Sequence, residues 1–334
     1  MLGERFESEI RQQPEVWCRL ARSDPAAAIV RAIRGRSVAL VGSGSSLFVA
    51  QLGALALRRR GVGARAIAAT EVPQDHAAYR DAVVIACSQS GESEDLLRAL
   101  DLLEPATLIA VTNNADSALG RRASLTVDVG AGAEVAVPAS KSVGATAAVL
   151  LWTAAALDLP CDRCAAELVT TAAHVAEWLA KPGIDGVHAA AREIALQQGV
   201  VVVGTGFGLA VALECALKLK EASYMHAEGF AAGEFRHGSA AILDSSYAMI
   251  AIGGDSAREA LEPPIRAAAQ AGSRCYVIGA RLGDVPLLGP RAHGEFEPLA
   301  WFVVAQTIAL AVGRARNVDS DAPRGLSKIV LNRT

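Results

Sequence analysis

The sequence predicts an α/β protein built from two tandem domains, each a doubly wound parallel sheet with helices on both faces (αβα layering). Three observations predict it. First, 52% of the residues are hydrophobic but only 4% are aromatic. The core is therefore packed from Ala, Val, Leu and Ile, the composition of helices laid on a parallel sheet. Second, VALVGSGSSLFVAQLGALAL (Val38 to Leu57) aligns without gaps to VVVVGTGFGLAVALECALKL (Val200 to Leu219). Ten of the twenty positions are identical, including a registered Gly-x-Gly; one unit occurs twice. Third, strand-length apolar runs alternate with helical patterns through short loops. A length of 334 residues suits two domains of ordinary size.

Taken in order, residues 1–30 read as a helical N-terminal arm and residues 31–160 as the first domain. Val38 opens a buried strand, a Gly-rich turn and a helix. Asp81 to Cys87 is a strand entering a polar loop, Ser93 to Leu103 a helix, and Thr107 to Thr112 a further strand. The Ala-rich run from Val143 to Leu157 is shorter than the roughly eighteen residues of a membrane span and reads as a buried core helix. Residues 161–189 read as a bridging helix ending near Lys181-Pro182-Gly183. The second domain covers residues 190–315. Its strand from Tyr247 to Ile252 enters Gly253-Gly254-Asp255-Ser256, followed by a helical pattern around Ala257 to Ala271 and a strand from Arg274 to Ile278. Residues 316–334 form a C-terminal tail.

Composition excludes several functions. Net charge is −3 with acids and bases interspersed, so no basic stripe points to nucleic acid or a membrane surface. The N-terminus lacks the apolar region of a secretory signal. The six cysteines then read as reduced thiols of a cytoplasmic protein. Cys161 and Cys164 form a lone CxxC without the further ligands that zinc needs. Both Gly-x-Gly turns lack the third glycine and the downstream acid of a dinucleotide site, so no NAD is expected. His76, His174, His188 and His293 are scattered and carry no pattern.

The two copies differ where ligands bind in doubly wound sheets, at the carboxyl ends of the strands. The first copy has Ser43, Ser45 and Ser46 at one turn and Ser88-Gln89-Ser90-Gly91-Glu92-Ser93 at the next strand-to-helix junction. Hydroxyls beside helix N-termini make a neutral cradle for a phosphate ester. Capping and turn roles account for one or two such serines, not six. In the second copy, Phe207 and Gly208 replace Ser45 and Ser46, and Asp255 would repel a phosphate. That copy instead leads into Glu214 to Gly238, where Glu214, Lys218 and Glu221 share a helix face and His226 and His237 follow. Taken alone, such a face is more commonly solvated. Beside a phosphate cradle it offers the groups of proton-transfer chemistry.

These residues resemble the sugar isomerase (SIS) family, in particular the double-SIS isomerase half of glucosamine-6-phosphate synthase. The resemblance spans nearly the whole chain. It rests on EIRQQP (Glu9 to Pro14), GSGSS (Gly42 to Ser46), SQSGES (Ser88 to Ser93), AGAEVAVPASKS (Ala131 to Ser142), the Glu214 to Gly238 block and PRGLSK (Pro323 to Lys328). It implies two flavodoxin-like αβα SIS domains. It implies phosphate binding by Ser45, Ser46, Ser88, Gln89, Ser90 and Ser93, with Val137 and Ser140 beside the sugar. Glu221 matches the base that moves a proton between C1 and C2, and Lys218 the lysine next to it. His237 matches a histidine that assists ring opening from a partner subunit, which implies a homodimer with shared sites. Lys328 matches a tail lysine that covers the sugar and can form an imine with a ketose. His226 has no matched role.

The chemistry agrees with these residue types: an imidazole assists ring opening and a carboxylate tuned by partial burial shuttles a proton. No metal and no cofactor is called for. The chain begins Met1-Leu2, without the glutamine-hydrolysing domain of the synthase, and so resembles stand-alone double-SIS deaminases. The implied reaction is glucosamine 6-phosphate plus water to fructose 6-phosphate and ammonia. The alternatives are a fructosamine-6-phosphate deglycase, another phosphosugar aldose–ketose isomerase, or a non-catalytic sugar-phosphate-binding regulator.

Overall fold

A computed structural model describes residues 1–180, 184–282, 285–290 and 294–328. The helix end expected at Lys181-Pro182-Gly183, and His293, lie outside the described residues. In chain order the elements begin with α1 (Glu4–Leu20), α2 (Ala27–Ile33), β1 (Val38–Gly42), α3 (Ser45–Arg59), β2 (Ala64–Ala68), α4 (Val72–Asp75), β3 (Val83–Ser88), α5 (Glu94–Leu103), β4 (Leu108–Thr112), α6 (Ala118–Arg122), β5 (Leu125–Asp128), α7 (Lys141–Ala155) and α8 (Cys161–Ala180). They continue with α9 (Asp185–Ile194), β6 (Gly199–Gly204), α10 (Phe207–Ser223), β7 (His226–Ala231), α11 (Ala232–Phe235), β8 (Tyr247–Gly253), α12 (Arg258–Gln270), β9 (Arg274–Gly279), β10 (Leu287–Leu288) and α13 (Glu297–Ala315). The segment read as one bridging helix thus holds α8 and the start of α9.

The described strands form two five-stranded sheets, and all their pairings are parallel. The first has the order β2-β1-β3-β4-β5; the second, from the matching edge, is β7-β6-β8-β9-β10. Numbered within each copy, both orders are 2-1-3-4-5, so the repeat read from one strand-turn-helix segment extends to a whole sheet.

The chain falls into two compact units that interleave in sequence. One comprises residues 13–134, 141–170 and 327–334 and holds the first sheet; the other comprises residues 1–12, 135–140 and 171–326 and holds the second.

In the first-sheet unit, β1, β3 and β4 are buried along their full lengths. Covered on both faces, they carry unbroken apolar runs rather than alternation. Their side chains pack with Leu96, Leu100 and Leu103 of α5 and Leu119 of α6. Every residue of α7 is buried, as its apolar run predicts. In the second-sheet unit, Val201 and Val203 of β6 and Met249 and Ala251 of β8 pack with Leu261 and Ile265 of α12. Helix α13 has the length and apolarity of a membrane span, but residues 298–313 are all buried, which makes it a core helix.

The two Gly-x-Gly turns have nearly the same backbone. Gly44 has φ 53° and ψ −128°, and Gly206 has φ 58° and ψ −128°. That conformation is open to glycine and strained for other residues. One replacement in the second copy has a separate cause. A Cβ on Gly208 would lie 2.1 Å from the carbonyl oxygen of Ile252. The start of α10 therefore lies directly on β8, at a position where the first copy accommodates Ser46.

Gly208→Val should force α10 off β8 and cost about 1–3 kcal/mol as an overpacking change. Urea unfolding should show a lower midpoint than wild type, whereas Ser46→Gly, at the matched position of the first copy, should not show that loss.

Candidate active site

The topology places the serine loops together. In a 2-1-3-4-5 sheet the crossovers from the first and third strands diverge, opening a crevice at their carboxyl ends. The loops after β1 and β3 flank it. Ser45 and Ser46 form the first turn of α3, whose N-cap, Gly44, has no side chain to cap the helix. The amides of Ser46 and Leu47 donate to the Ser43 and Gly44 carbonyls at 3.1 and 3.0 Å, so what the start of this helix offers the crevice is its positive dipole end and the serine hydroxyls.

The loop after β3 is braced from within and from β4. The Gly91 amide donates to Ser88 Oγ at 3.0 Å, and the Glu92 amide to Ser90 Oγ at 3.2 Å. A hydroxyl that accepts one N–H keeps its own O–H to donate. Ser93 is the N-cap of α5 without a side-chain capping bond. The Gln89 carbonyl accepts the Asn113 amide at 3.2 Å. Glu92 turns away from the loop: its Oε1 accepts the Ala118 amide at 2.9 Å. The two braces from outside the loop, Asn113 and Ala118, come from residues whose local sequence carries no catalytic or ligand signal.

In the second-sheet unit the matched crevice is acidic. The carboxylate of Glu297, in the first turn of α13, lies against Gly254: a Cβ there would sit 2.9 Å and 3.1 Å from its two oxygens. Burial, with Asp255 nearby, pushes Glu297 up to about 7. Sequence reading identified Asp255 as hostile to phosphate but missed Glu297, which is distant in sequence and sits in an ordinary helix-start context.

Helix α10 gathers the ionisable groups. The Lys218 side chain is 1% exposed, that of Glu214 0% and that of Glu221 19%. Lys218 Nζ lies 3.5 Å from Glu214 Oε1 and donates to Glu221 Oε2. The face is thus largely buried, not solvated, and Glu221 is its accessible end. Helix α10 ends at Tyr224, in left-handed conformation with φ 53°. Tyr224 Oη accepts the Arg324 amide at 2.6 Å, and the Arg324 guanidinium covers its ring at 4.4 Å from the centroid.

The remaining site residues are dispersed. His226 begins strand β7, largely exposed, 3.7 Å from Glu228. His237 lies on an exposed turn just after α11. Val137 is half-buried, and Ser140 is buried with its carbonyl accepting from Gln306. Lys328 Nζ is 3.0 Å from Glu134 Oε2. The phosphate-loop residues and Lys328 belong to the first-sheet unit; Lys218, Glu221, His237, Val137 and Ser140 belong to the second.

Two duplicated 2-1-3-4-5 sheets, one with a serine cradle and one with a buried acid–lysine helix, define a tandem α/β protein. The SIS domain family model matches residues 33–156 and 193–280. The chain belongs to the SIS domain family. It is 30% identical over 310 residues to glutamine–fructose-6-phosphate aminotransferase [isomerizing] of Sulfolobus acidocaldarius, covering 88% of this chain and 50% of that protein. It thus spans about half the length of the curated relatives it matches. The fold is similar to the C-terminal domain of glucosamine-fructose-6-phosphate aminotransferase from Francisella tularensis, with TM-score 0.83, 21% identity, and coverage of 96% of this chain and 98% of that one. It is also similar to glucosamine-6-phosphate deaminase from Thermotoga maritima, with TM-score 0.80, 21% identity, and coverage of 98% and 99%.

Two measurements test the buried charges. Lys218→Met removes the cation that faces the buried carboxylate of Glu214 and should cost about 3–5 kcal/mol in chemical denaturation; Lys218→Met combined with Glu214→Leu should recover much of that. Folded Glu297 keeps its proton to about pH 7, whereas the unfolded side chain releases it near 4.5. The folded state binds more protons in that window, so Glu297 favours folding at acid pH and loses that contribution as the pH rises through it. Glu297→Gln should therefore melt higher than wild type at pH 8 and close to wild type at pH 4.5.

Proposed function

We propose that this protein is an amino-sugar-phosphate isomerase and deaminase that converts glucosamine 6-phosphate and water to fructose 6-phosphate and ammonia. The observation that carries the reading is the Lys218–Glu221 pair on α10. It sets a partly accessible carboxylate beside a buried ammonium, in a chain whose other copy keeps an uncharged serine cradle. The aminotransferase relative, named for fructose 6-phosphate and for isomerisation, supports a hexose phosphate as substrate, and the fold shared with a deaminase is compatible with ammonia release.

In this reading Ser45, Ser46, Ser88, Gln89, Ser90 and Ser93 hold the phosphate through hydroxyl and amide donors. Val137 and Ser140 flank the sugar. His237, supplied by the partner of a homodimer, moves the proton between the anomeric hydroxyl and the ring oxygen as the ring opens. Glu221 takes the proton from C2 of the open-chain aldehyde, giving an enolamine, and returns it to C1, which leaves an imine at C2. Water adds to that carbon and ammonia leaves, giving the ketose. Lys218 stabilises the charge on Glu221 and on the oxygen at C1. Lys328 lies over the sugar.

A coupled ammonia-release assay on glucosamine 6-phosphate tests the reading; turnover only on a fructosamine 6-phosphate would replace the deaminase assignment with a deglycase. Glu221→Gln should lower kcat by about 10²–10⁴-fold with sugar-phosphate binding nearly unchanged, and wild-type turnover in this variant would remove Glu221 as the base. Ser88→Ala or Ser90→Ala should instead weaken binding of fructose 6-phosphate by about tenfold or more. Mixed Glu221→Gln and His237→Ala chains should regain activity if sites are shared, and verified heterodimers without rescue would count against sharing.

A further inference from the structure

Glu134 is a buried carboxylate with no task in the proton shuttle. Its side chain is 0% exposed. Oε1 accepts the Ser142 amide at 3.0 Å and Oε2 accepts Ser142 Oγ at 2.6 Å. Ser142 lies in the first turn of α7, so the carboxylate also sits at the positive end of that helix. A cation that meets it is Lys328, whose Nζ donates to Oε2 at 3.0 Å. Lys328 is 21% exposed and lies near the chain terminus.

The segment leading to Glu134 is tied to the phosphate loop through one residue, Asn113, by its backbone N–H on one side and its side chain on the other. The Asn113 amide donates to the Gln89 carbonyl at 3.2 Å. Asn113 Oδ1 accepts the Ala131 amide at 2.8 Å, and Nδ2 donates to the Gly132 carbonyl at 2.8 Å. Gln89, Asn113, Ala131 and Gly132 thus form a continuous hydrogen-bonded connection that ends two residues before Glu134. A carboxylate held this way is fixed relative to the phosphate loop. A lysine on a terminal tail is not fixed unless something holds it, because its four-carbon stem ranges over many rotamers.

We propose that Glu134 is the positioning residue for Lys328, drawing its ammonium from the tail to a fixed point connected to the phosphate loop through Asn113. The proposal rests on the reading that Lys328 meets the sugar phosphate. Glu134 touches no reacting atom in this scheme; it acts through Lys328. Ser142 keeps the carboxylate aimed at the tail.

Hydrogen exchange and steady-state kinetics on the full chain test it. Glu134→Gln keeps the shape and an oxygen to accept the Ser142 amide, while its NH2 replaces Oε2 and removes the charge. Exchange of the amides of residues 325–328 should then quicken by about tenfold or more, with the α3 and α10 amides unchanged. On the sugar phosphate identified by the ammonia-release panel, kcat should fall by about tenfold while KM stays within about threefold. Glu134→Asp, which keeps the charge, should recover part of both effects. Wild-type exchange at residues 325–328 in Glu134→Gln overturns the proposal, as does an unchanged kcat in an active enzyme. If Glu134→Gln fails to fold, Lys328→Ala serves: it must loosen the same four amides, and unchanged exchange there overturns the proposal. If wild type turns over no sugar phosphate in the panel but Glu134→Gln still loosens the tail locally, the substrate assignment falls and the hold of Glu134 on Lys328 stands.

Discussion

Parallel strand pairing is the constraint on which the rest of this structure depends. Each strand must be followed by a crossover before the next can pair in the same direction, so every loop after a strand opens at one edge of its sheet. In both sheets the order 2-1-3-4-5 makes the chain leave the first and third strands in opposite directions. The gap between them is where a ligand is admitted without disturbing the core. Buried interior strands, helix N-termini at the gap and Gly-x-Gly turns that bring the helices close all follow from that arrangement.

Two copies of this arrangement have diverged by charge. The first keeps neutral donors at its gap and turns Glu92, the acid in its loop, onto the Ala118 amide. The second fills the corresponding place with Glu297 and Asp255, a pair that favours a proton over an anion. Its ionisable helix follows another rule. Lys218 is nearly inaccessible, and a buried ammonium requires close carboxylates. Glu214 and Glu221 meet that need from one turn before and one turn after. The geometry that surrounds Lys218 with carboxylates also sets Glu221 at the accessible end, the place suited to moving a proton.

Much of the fold was legible from residue pattern. The interior strands β1, β3, β4, β6, β8 and β9 were read as strands because burial on both faces demands continuous apolar runs. Three of the four edge strands, β2 (ARAIA), β5 (LTVD) and β7 (HAEGFA), were not, because an edge strand is partly exposed and carries mixed residues that look like loop; the fourth, β10, is only two residues long. The serines were visible as candidates because six hydroxyls around two junctions exceed what capping needs. Glu297 and Glu134 were not singled out: Glu297 stands in an ordinary helix start, Glu134 is one acid within the AGAEVAVPASKS block, and the significance of each comes from what lies beside it. For Glu297 that is Gly254, and for Glu134 it is Ser142 and Lys328.

By itself, the sequence determined the duplicated α/β architecture, the Gly-x-Gly turns, the loss of hydroxyls in the second copy and the spacing of Glu214, Lys218 and Glu221. Periodicity, repeat and residue type are properties of neighbours in the chain, and each of these features is local. Only the tertiary structure decided that the acid–lysine face is buried, that a glutamate from a distant helix lies at the second gap, and that the Glu134 carboxylate meets Lys328. Those outcomes depend on desolvation and on which charges approach within a few ångströms. Burial and proximity between residues far apart in sequence exist only once the chain has folded.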